Sequence, residues 1–364
     1  MIFLIAVAAL VVGGSAAYVA SEDVRYLSRA GLEETRILVA ARPIDAIVAD
    51  PAADSSLRST LRLVVDARDY AHAIGFEAGD TYTTYTDVGR DTLLLVLQAA
   101  PRDCVCPYTW KWPIVGRMPY KGFFDADDAR RAADDLEARG FDVYLRPAGA
   151  FSTLGWFNDP LLSTALGRDS VELVATVFHE IAHNSLYVKS ATPFNESFAQ
   201  MAGYRAAESF FRSRGDSISA QRAAHRLHDE ALLGDFYAEL TTRLERLYAM
   251  PLDSAALDSG RLAEGLWARD QLEGELGDLM RTLRITPMPA RPVNNARLIG
   301  VMIYRTGLDH FDAWYAMHGR DIGRAVAALR DLMKGAEGDE AFERLIEAVE
   351  AGKAGDGSAG VEGN

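Results

Sequence analysis

Apolar positions in the first 150 residues alternate between helical spacing and strand spacing. Residues 24–41 carry apolar side chains at a helical period that ends before Pro43, and a second helix is predicted at about 55–75. The runs "TTYTDV" and "TLLLVLQAA" predict strands, whereas the Pro-, Gly- and aromatic-rich residues 107–124 predict an irregular loop. A helix between Asp125 as N-cap and Gly140 as C-cap then leads into the strand "FDVYLRPAG".

After residue 170 the spacing becomes almost wholly helical. We expect Ser170 to cap the helix "VELVATVFHEIAHNSLYV", and a helix that opens with "FNESFA" to end at Gly215. Long helices follow at about 218–249 and 254–284, and another lies within "VNNARLIGVMIY". The pattern predicts an α+β fold, with a small α/β portion at 21–150, a mostly helical portion at 151–350 and a disordered Gly-rich tail at 351–364.

The first twenty residues contain no charge. The stretch from Ile2 to Ala20 just reaches the length of a membrane-crossing helix, and its closing "GGSAA" also suits a signal-peptide cleavage site. A signal peptide and an N-terminal anchor both remain open, and a buried core helix is the less favoured alternative. We therefore expect an exported protein, either periplasmic or held at the inner membrane by this segment.

The formal net charge of −14 argues against a nucleic-acid partner. A protein that neutralises phosphates needs a basic face, because most of the affinity comes from cations that displace counterions. Solubility is the property on which this charge bears most directly.

Cys104 and Cys106 are the only two cysteines, and they are separated by one residue. Two cysteines are too few for a structural zinc site, and a bond between neighbours on one strand would be strained. Free thiols are the favoured interpretation, and a local disulfide in an exported protein is the alternative.

Two of the chain's 7 histidines, His179 and His183, lie four residues apart. On a helix this spacing puts both imidazoles on one face, where they can bind one metal ion. Glu180 lies at the edge of the same face and can act as a general base toward an activated water. This is the H-E-x-x-H arrangement of zinc peptidases. The alternative is a pair of histidines hydrogen-bonded to ordinary neighbours.

A third ligand is expected at Glu196, thirteen residues after His183. A catalytic zinc takes three protein ligands and keeps one open position. The short linker "NSLYVKSATPF" lets a helix–loop–helix hairpin bring Glu196 back against the first helix, and Pro193 suits the start of the second. By itself Glu196 could also be a solvated first-turn glutamate.

These residues carry a resemblance to a known family. "HEIAH" followed by "NESFA" resembles the gluzincin peptidases, and the chain as a whole is similar to the bacterial predicted-aminopeptidase family through "WPIVGRMPYKGFFD", "AFSTLGWFNDPLLST" and "NNARLIGVMIY". The resemblance implies a zincin-like fold, His179, His183 and Glu196 as zinc ligands, and Glu180 as the base. Many members carry a lipoprotein cysteine that is absent here, and cysteines where this chain has Lys111 and Arg117.

Other residues are weaker candidates. Ser152, Thr153 and Gly155 would suit an edge strand that pairs with an extended peptide, although a structural turn at Asp159-Pro160 explains the same stretch equally well. An oxyanion donor or substrate contact is expected among three residues far down the chain. They are Tyr304, Asn295 and Arg297.

The sequence thus predicts a peptidase that uses one Zn²⁺ per chain and removes N-terminal residues from peptides. A metal-binding or scaffold protein without turnover remains the alternative from another class, and an endopeptidase is the alternative within the class.

Overall fold

The computed structural model describes residues 22–112, 116–148, 160–167, 169–286 and 289–359. The predicted signal or anchor segment and the predicted strand at Ser152, Thr153 and Gly155 lie outside these residues. Among the helices within these ranges, none is both long enough and apolar enough to cross a bilayer.

The first part of the chain mixes helices with strands, in agreement with the predicted α/β portion, and its strands form three small sheets. Its elements are α1 Glu22–Val39, β1 Arg42–Pro43, α2 Ile44–Ala49, α3 Ser55–Ala73, β2 Thr84–Thr86, β3 Leu94–Pro101, β4 Trp110–Trp112, β5 Gly116–Met118, β6 Lys121–Phe123, α4 Ala126–Ala138, β7 Phe141–Ala148, β8 Leu161–Leu162 and α5 Ser163–Leu166. The sheets have the strand orders β1-β2-β8, β6-β3-β7 and β4-β5. In the sheet β6-β3-β7, the middle strand β3 pairs antiparallel with both neighbours.

The second part consists of helices. These are α6 Ser170–Ser185, α7 Thr192–Ser213, α8 Ser217–Tyr248, α9 Ser254–Glu273, α10 Glu275–Leu279, α11 Asn295–Met302, α12 Leu308–Met317, α13 Ile322–Leu332 and α14 Glu340–Ala359. The largest apolar core joins α3, α6 and α7 to α12, α13 and α14. Smaller cores lie between α8 and the α9–α11 segment, and between β3, β7 and α4.

Four local predictions were wrong or incomplete. The cap of α6 is Asp169, whose side chain accepts from Val171 N and Glu172 N, so Ser170 is the first helical residue. The region 107–124 forms β4, β5 and β6, because its aromatic side chains find cross-strand partners. The helix predicted at 254–284 ends at Glu273, since Gly274 adopts the non-helical dihedrals φ −100 and ψ −128. The last helix continues to Ala359, beyond the predicted start of the tail, because buried Leu345 and Val349 anchor it.

The cysteines form a disulfide, which corrects the favoured interpretation as free thiols. The strand β3 ends at Pro101, and the chain bends at Val105. This bend brings the two Cα atoms to 5.2 Å, within the usual span of a disulfide, so the objection based on strand geometry does not apply.

Candidate metal centre

Helix α6 is anchored along its length and presents both histidines from a buried position. Asp169 caps its first turn, and apolar side chains from Val171 to Ile181 are buried. At its carboxyl end Ser185 Oγ accepts from Glu77 N at 2.9 Å, and Asn184 Nδ2 donates to Thr81 Oγ1 at 2.7 Å. A helix held at both ends fixes the positions of the side chains on its last two turns, which include both histidines.

Asn195 fixes the turn that joins α6 to α7. Its Oδ1 accepts from Val188 N at 2.8 Å, and its Nδ2 donates to Val188 O at 2.7 Å. This side chain is 3% exposed, and its two hydrogen bonds to Val188 close the linker in the way that a pair of backbone hydrogen bonds does. Because the linker is fixed in this way, the next residue, Glu196, has a defined position relative to α6. Asn195 is part of the motif "NESFA", but the sequence alone did not indicate this structural role.

Gly203 lets α7 approach α6 closely. A Cβ at this position would lie 2.7 Å from the carbonyl oxygen of Ala175 and 3.2 Å from the Cβ of His179. The first separation is too short for a side-chain carbon and the second is tight, so glycine permits a helix spacing that any larger residue would disturb. This close approach occurs at the turn that carries His179.

Three nitrogen and oxygen atoms converge between the two helices. His179 Nε2 lies 3.2 Å from His183 Nε2, and Glu196 Oε2 lies 3.4 Å from the first nitrogen and 3.8 Å from the second. The three side chains are between 14% and 23% exposed. Within the described part of the chain this is the one cluster of three or more His, Cys, Asp or Glu side chains that could hold a metal ion.

The protonation states of the cluster suit a metal ligand set. Burial, together with the neighbouring His179, lowers the pKa of His183 to about 4, so the imidazole is neutral at pH 7. Burial alone would raise the pKa of Glu196, but the hydrogen bond from His179 and the electrostatic influence of the two imidazoles lower it overall. Neutral imidazoles and an ionised carboxylate are the forms that bind metal ions.

The spacing also fits zinc. Two ligand atoms at about 2.0–2.1 Å from a tetrahedral zinc ion lie about 3.3–3.5 Å from each other. The three observed separations, 3.2, 3.4 and 3.8 Å, bracket that value. The residues present are therefore an appropriate donor set for one zinc ion.

Glu180 is half-buried beside His179 and is outside the group of convergent donors. Its charge reaches Tyr304, whose pKa it raises. The carboxylate is thus near enough to Tyr304 to act on its hydroxyl, and it is outside the three-residue donor group. That position suits a proton acceptor better than a ligand.

Tyr304 lies in the turn after α11, and its ring centroid is 6.2 Å from that of His179. Burial and the nearby Glu196 raise the pKa of Tyr304 to about 12, so the hydroxyl keeps its proton at neutral pH. The prediction that a helix carries this residue was wrong, because α11 ends at Met302. The structure does place the ring of Tyr304 beside His179.

Asn295 does not serve as an oxyanion donor. Its Nδ2 donates to the carbonyl oxygens of Pro101 and Cys104, and its Oδ1 accepts from Tyr248 Oη at 2.8 Å. Its backbone N–H donates to Asp142. With both amide protons used, this fully buried side chain joins α11 to the end of β3.

Arg297, which was predicted as an oxyanion donor or substrate contact, also lies elsewhere. It is exposed on α11, and the charge of its guanidinium acts on the pKa of Tyr237. Within the described residues, no contact joins Arg297 to the histidines or to Glu196. Its backbone N–H, by contrast, is used for the N-cap of α11.

Tyr120 is a neighbour of the cluster of His179, His183 and Glu196 that the sequence did not indicate. Burial and Glu196 raise the pKa of Tyr120, which lies between β5 and β6. The charge of Tyr187, an exposed residue of the α6–α7 linker, acts on the same hydroxyl. The only signal in the sequence was that Tyr120 belongs to a stretch with family resemblance.

A surface cavity of about 420 Å³ beside the end of α6 is a separate feature. Its cations already have partners. The pairs are Lys189 with Glu337, Arg330 with Glu77, and Lys334 with Asp331. The cations that line this cavity are thus already neutralised by neighbouring carboxylates.

These observations define a helical-hairpin site with two histidines and a glutamate, set in an α+β fold. The family model described as Putative aminopeptidase matches residues 25–344, and the chain belongs to that family. Membership indicates a hydrolase that acts on peptides. No curated protein and no solved structure matches the chain.

Proposed function

We propose that this chain is a zinc-dependent aminopeptidase of the gluzincin type, with a zincin-like arrangement of its helices. The observation that carries the proposal is the convergence of His179, His183 and Glu196 beside a glutamate that is not part of the donor set. A purely structural zinc favours four protein ligands, whereas a catalytic one has three.

The three donors would hold one Zn²⁺ per chain. Bound zinc would polarise the scissile carbonyl and lower the pKa of a water toward ~7. Glu196 comes from a different helix than the histidines, so the site also ties α6 to α7.

The protein's own groups then move the proton and stabilise charge. Glu180 takes a proton from the attacking water and passes it to the departing amine. Tyr304, which stays protonated because its pKa is about 12, donates a hydrogen bond to the oxyanion of the tetrahedral intermediate. Tyr120 is a second tyrosine whose hydroxyl is influenced by Glu196.

We further propose that the chain acts outside the cytoplasm, cleaved from or anchored by its uncharged first twenty residues. A reporter that works only after export should be active when fused after residue 30. A reporter that stays inactive there would contradict this part of the proposal.

Metal removal and restoration test the function. The purified protein should contain about one zinc per chain and hydrolyse N-terminal residues from short peptides, lose both on chelation, and regain both when zinc is added back. Full metal content without hydrolysis of any peptide would favour a metal-binding protein without turnover. Cleavage only at internal bonds would indicate an endopeptidase.

A further inference from the structure

The strand β7 has two chemically different faces. Phe141, Val143 and Leu145 pack on the core under α4. The residues between them point the other way, because successive side chains of a strand alternate. On this second face Asp142 forms an ion pair with Arg261 and accepts from the backbone N–H of Asn295. The second face of β7 therefore lies against α9, which carries Arg261, and against the start of α11, which carries Asn295.

Arg146 lies on that second face, four residues beyond Asp142 and opposite Val96 of β3. Helix α11 packs across both β3 and β7. At Gly300 a Cβ would overlap the side-chain oxygen of Gln98, so α11 lies directly on the sheet. The turn after α11, which holds Tyr304, is thus close to the part of β7 that carries Arg146.

The position of this turn is fixed from the other side by α8. The carbonyl oxygen of Arg305 would be 2.5 Å from a Cβ at Gly234, and Arg305 Nη2 binds Glu230 Oε2 at 2.6 Å. Tyr304 is held over His179 as a result. The guanidinium of Arg146 lowers the pKa of both Tyr304 and Tyr120, in agreement with its placement beside them.

Arg146 differs from its neighbours because none of the described acidic residues forms an ion pair with it. Arg261 pairs with Asp142, and Arg305 pairs with Glu230. Arg146 is half-buried, and no salt bridge joins it to any other described residue. A guanidinium is always charged and presents paired N–H groups that match a carboxylate. A half-buried cation beside a reaction centre is therefore suited to an anionic group of the substrate.

We propose that Arg146 binds a carboxylate of the peptide substrate, on the side of the departing residue. The preferred substrates are then short peptides, dipeptides above all, whose free C-terminal carboxylate lies one residue beyond the scissile bond. An acidic side chain on the departing residue offers the same chemistry from a second source. This inference rests on the proposed peptidase function and adds the class of substrate.

Three substrates separate the sources of the carboxylate. They are alanyl-alanine, alanyl-alaninamide and alanyl-aspartic acid α-amide. A charge-assisted pair of this kind corresponds to about 10- to 100-fold in kcat/KM, so the free dipeptide should exceed the amide by that factor. Recovery of the rate with the aspartyl amide would show that a side-chain carboxylate can replace the C-terminal one.

Two substitutions test Arg146 itself. Arg146→Gln should lower kcat/KM for alanyl-alanine about 10- to 100-fold and leave the amide nearly unchanged, and Arg146→Lys should fall between. Arg324→Gln is the matched control, because Arg324 is a largely exposed arginine on α13. Equal losses on the acid and the amide would overturn the inference and assign Arg146 to the oxyanion or to stability.

A binding experiment keeps this inference separate from the proposed function. Calorimetry with the Glu180→Gln protein, with and without zinc, compares binding of alanyl-alanine and its amide where no turnover is needed. Tighter binding of the acid that Arg146→Gln abolishes supports the inference even if no peptide is hydrolysed. Equal binding of acid and amide overturns it, even if hydrolysis is observed.

Discussion

Two half-buried glutamates at the centre differ in what they face. Glu196 Oε2 lies within 3.8 Å of both histidine nitrogens, whereas Glu180 acts on Tyr304 and is outside the donor group. A residue's role here follows from the atoms that its carboxylate reaches. Glu180 and Glu196 should therefore respond differently to the same substitution.

Glu180→Gln should keep zinc but lose activity. The amide has nearly the same shape as the carboxylate but cannot accept the proton, and loss of a general base costs about 10²–10⁴-fold in rate. Glu196→Gln should instead weaken zinc binding, because a neutral amide is a poorer ligand. Zinc content and peptide hydrolysis, measured on both variants, check these roles. Near-normal turnover by Glu180→Gln would show that the base is another residue.

At the scale of elements, the site depends on how α6 and α7 pack. The two helices bury apolar faces against each other, with Phe178 and Phe198 fully buried. Asn195 sets the linker, and Gly203 sets the distance. The donor atoms of one helix reach those of the other only at this spacing.

Gly203→Ala should separate the helices and weaken zinc binding. Alanine favours a helix by up to about 1 kcal/mol over glycine, but overlap with the Ala175 carbonyl oxygen should cost about 1–3 kcal/mol. We expect a lower unfolding temperature and reduced zinc content. Gly31→Ala in α1 is the control, since a Cβ there meets nothing within 4 Å and should be neutral or stabilising. A Gly203→Ala protein with normal stability and zinc would show that the close approach is dispensable.

At the scale of the whole molecule, stability without metal should depend on pH through His183. Its pKa falls from 6.5 to about 4 in the folded chain because burial disfavours the charged form. Between these values the unfolded chain binds a proton that the folded chain does not. Stability is therefore complete above pH 6.5, decreases as the pH falls toward 4, and loses no more from this group below that.

The expected loss is about 3 kcal/mol at most for a drop in pKa of this size. Urea unfolding in chelator, from pH 8 to pH 4, measures it. His183→Gln should flatten the slope in this window, whereas His72→Gln, an exposed position on α3, should keep it. An identical slope in the His183→Gln protein would mean that another group accounts for the acid sensitivity.

The sequence by itself determined what depends on neighbours along the chain. Helical spacing placed His179 and His183 on one face, the cap at Asp125 and the positive φ of Gly140 bounded α4, and apolar runs located β3 and β7. These features follow from periods of 3.6 and 2 residues and from local hydrogen bonds, which need no knowledge of distant segments. The same reasoning indicated Glu196, because a short linker limits where the next helix can lie.

Only the tertiary structure decided what depends on distant segments meeting. Arg146 and Tyr120 come from strands or turns that precede α6, and their place near Tyr304 depends on how α11 crosses the sheet. The polar side chain of Asn295 was a reasonable candidate for a substrate contact. Its amide nitrogen, however, donates to backbone carbonyl oxygens at and just after the end of β3. The period of a strand shows which residues share a face, but packing between elements determines what that face meets.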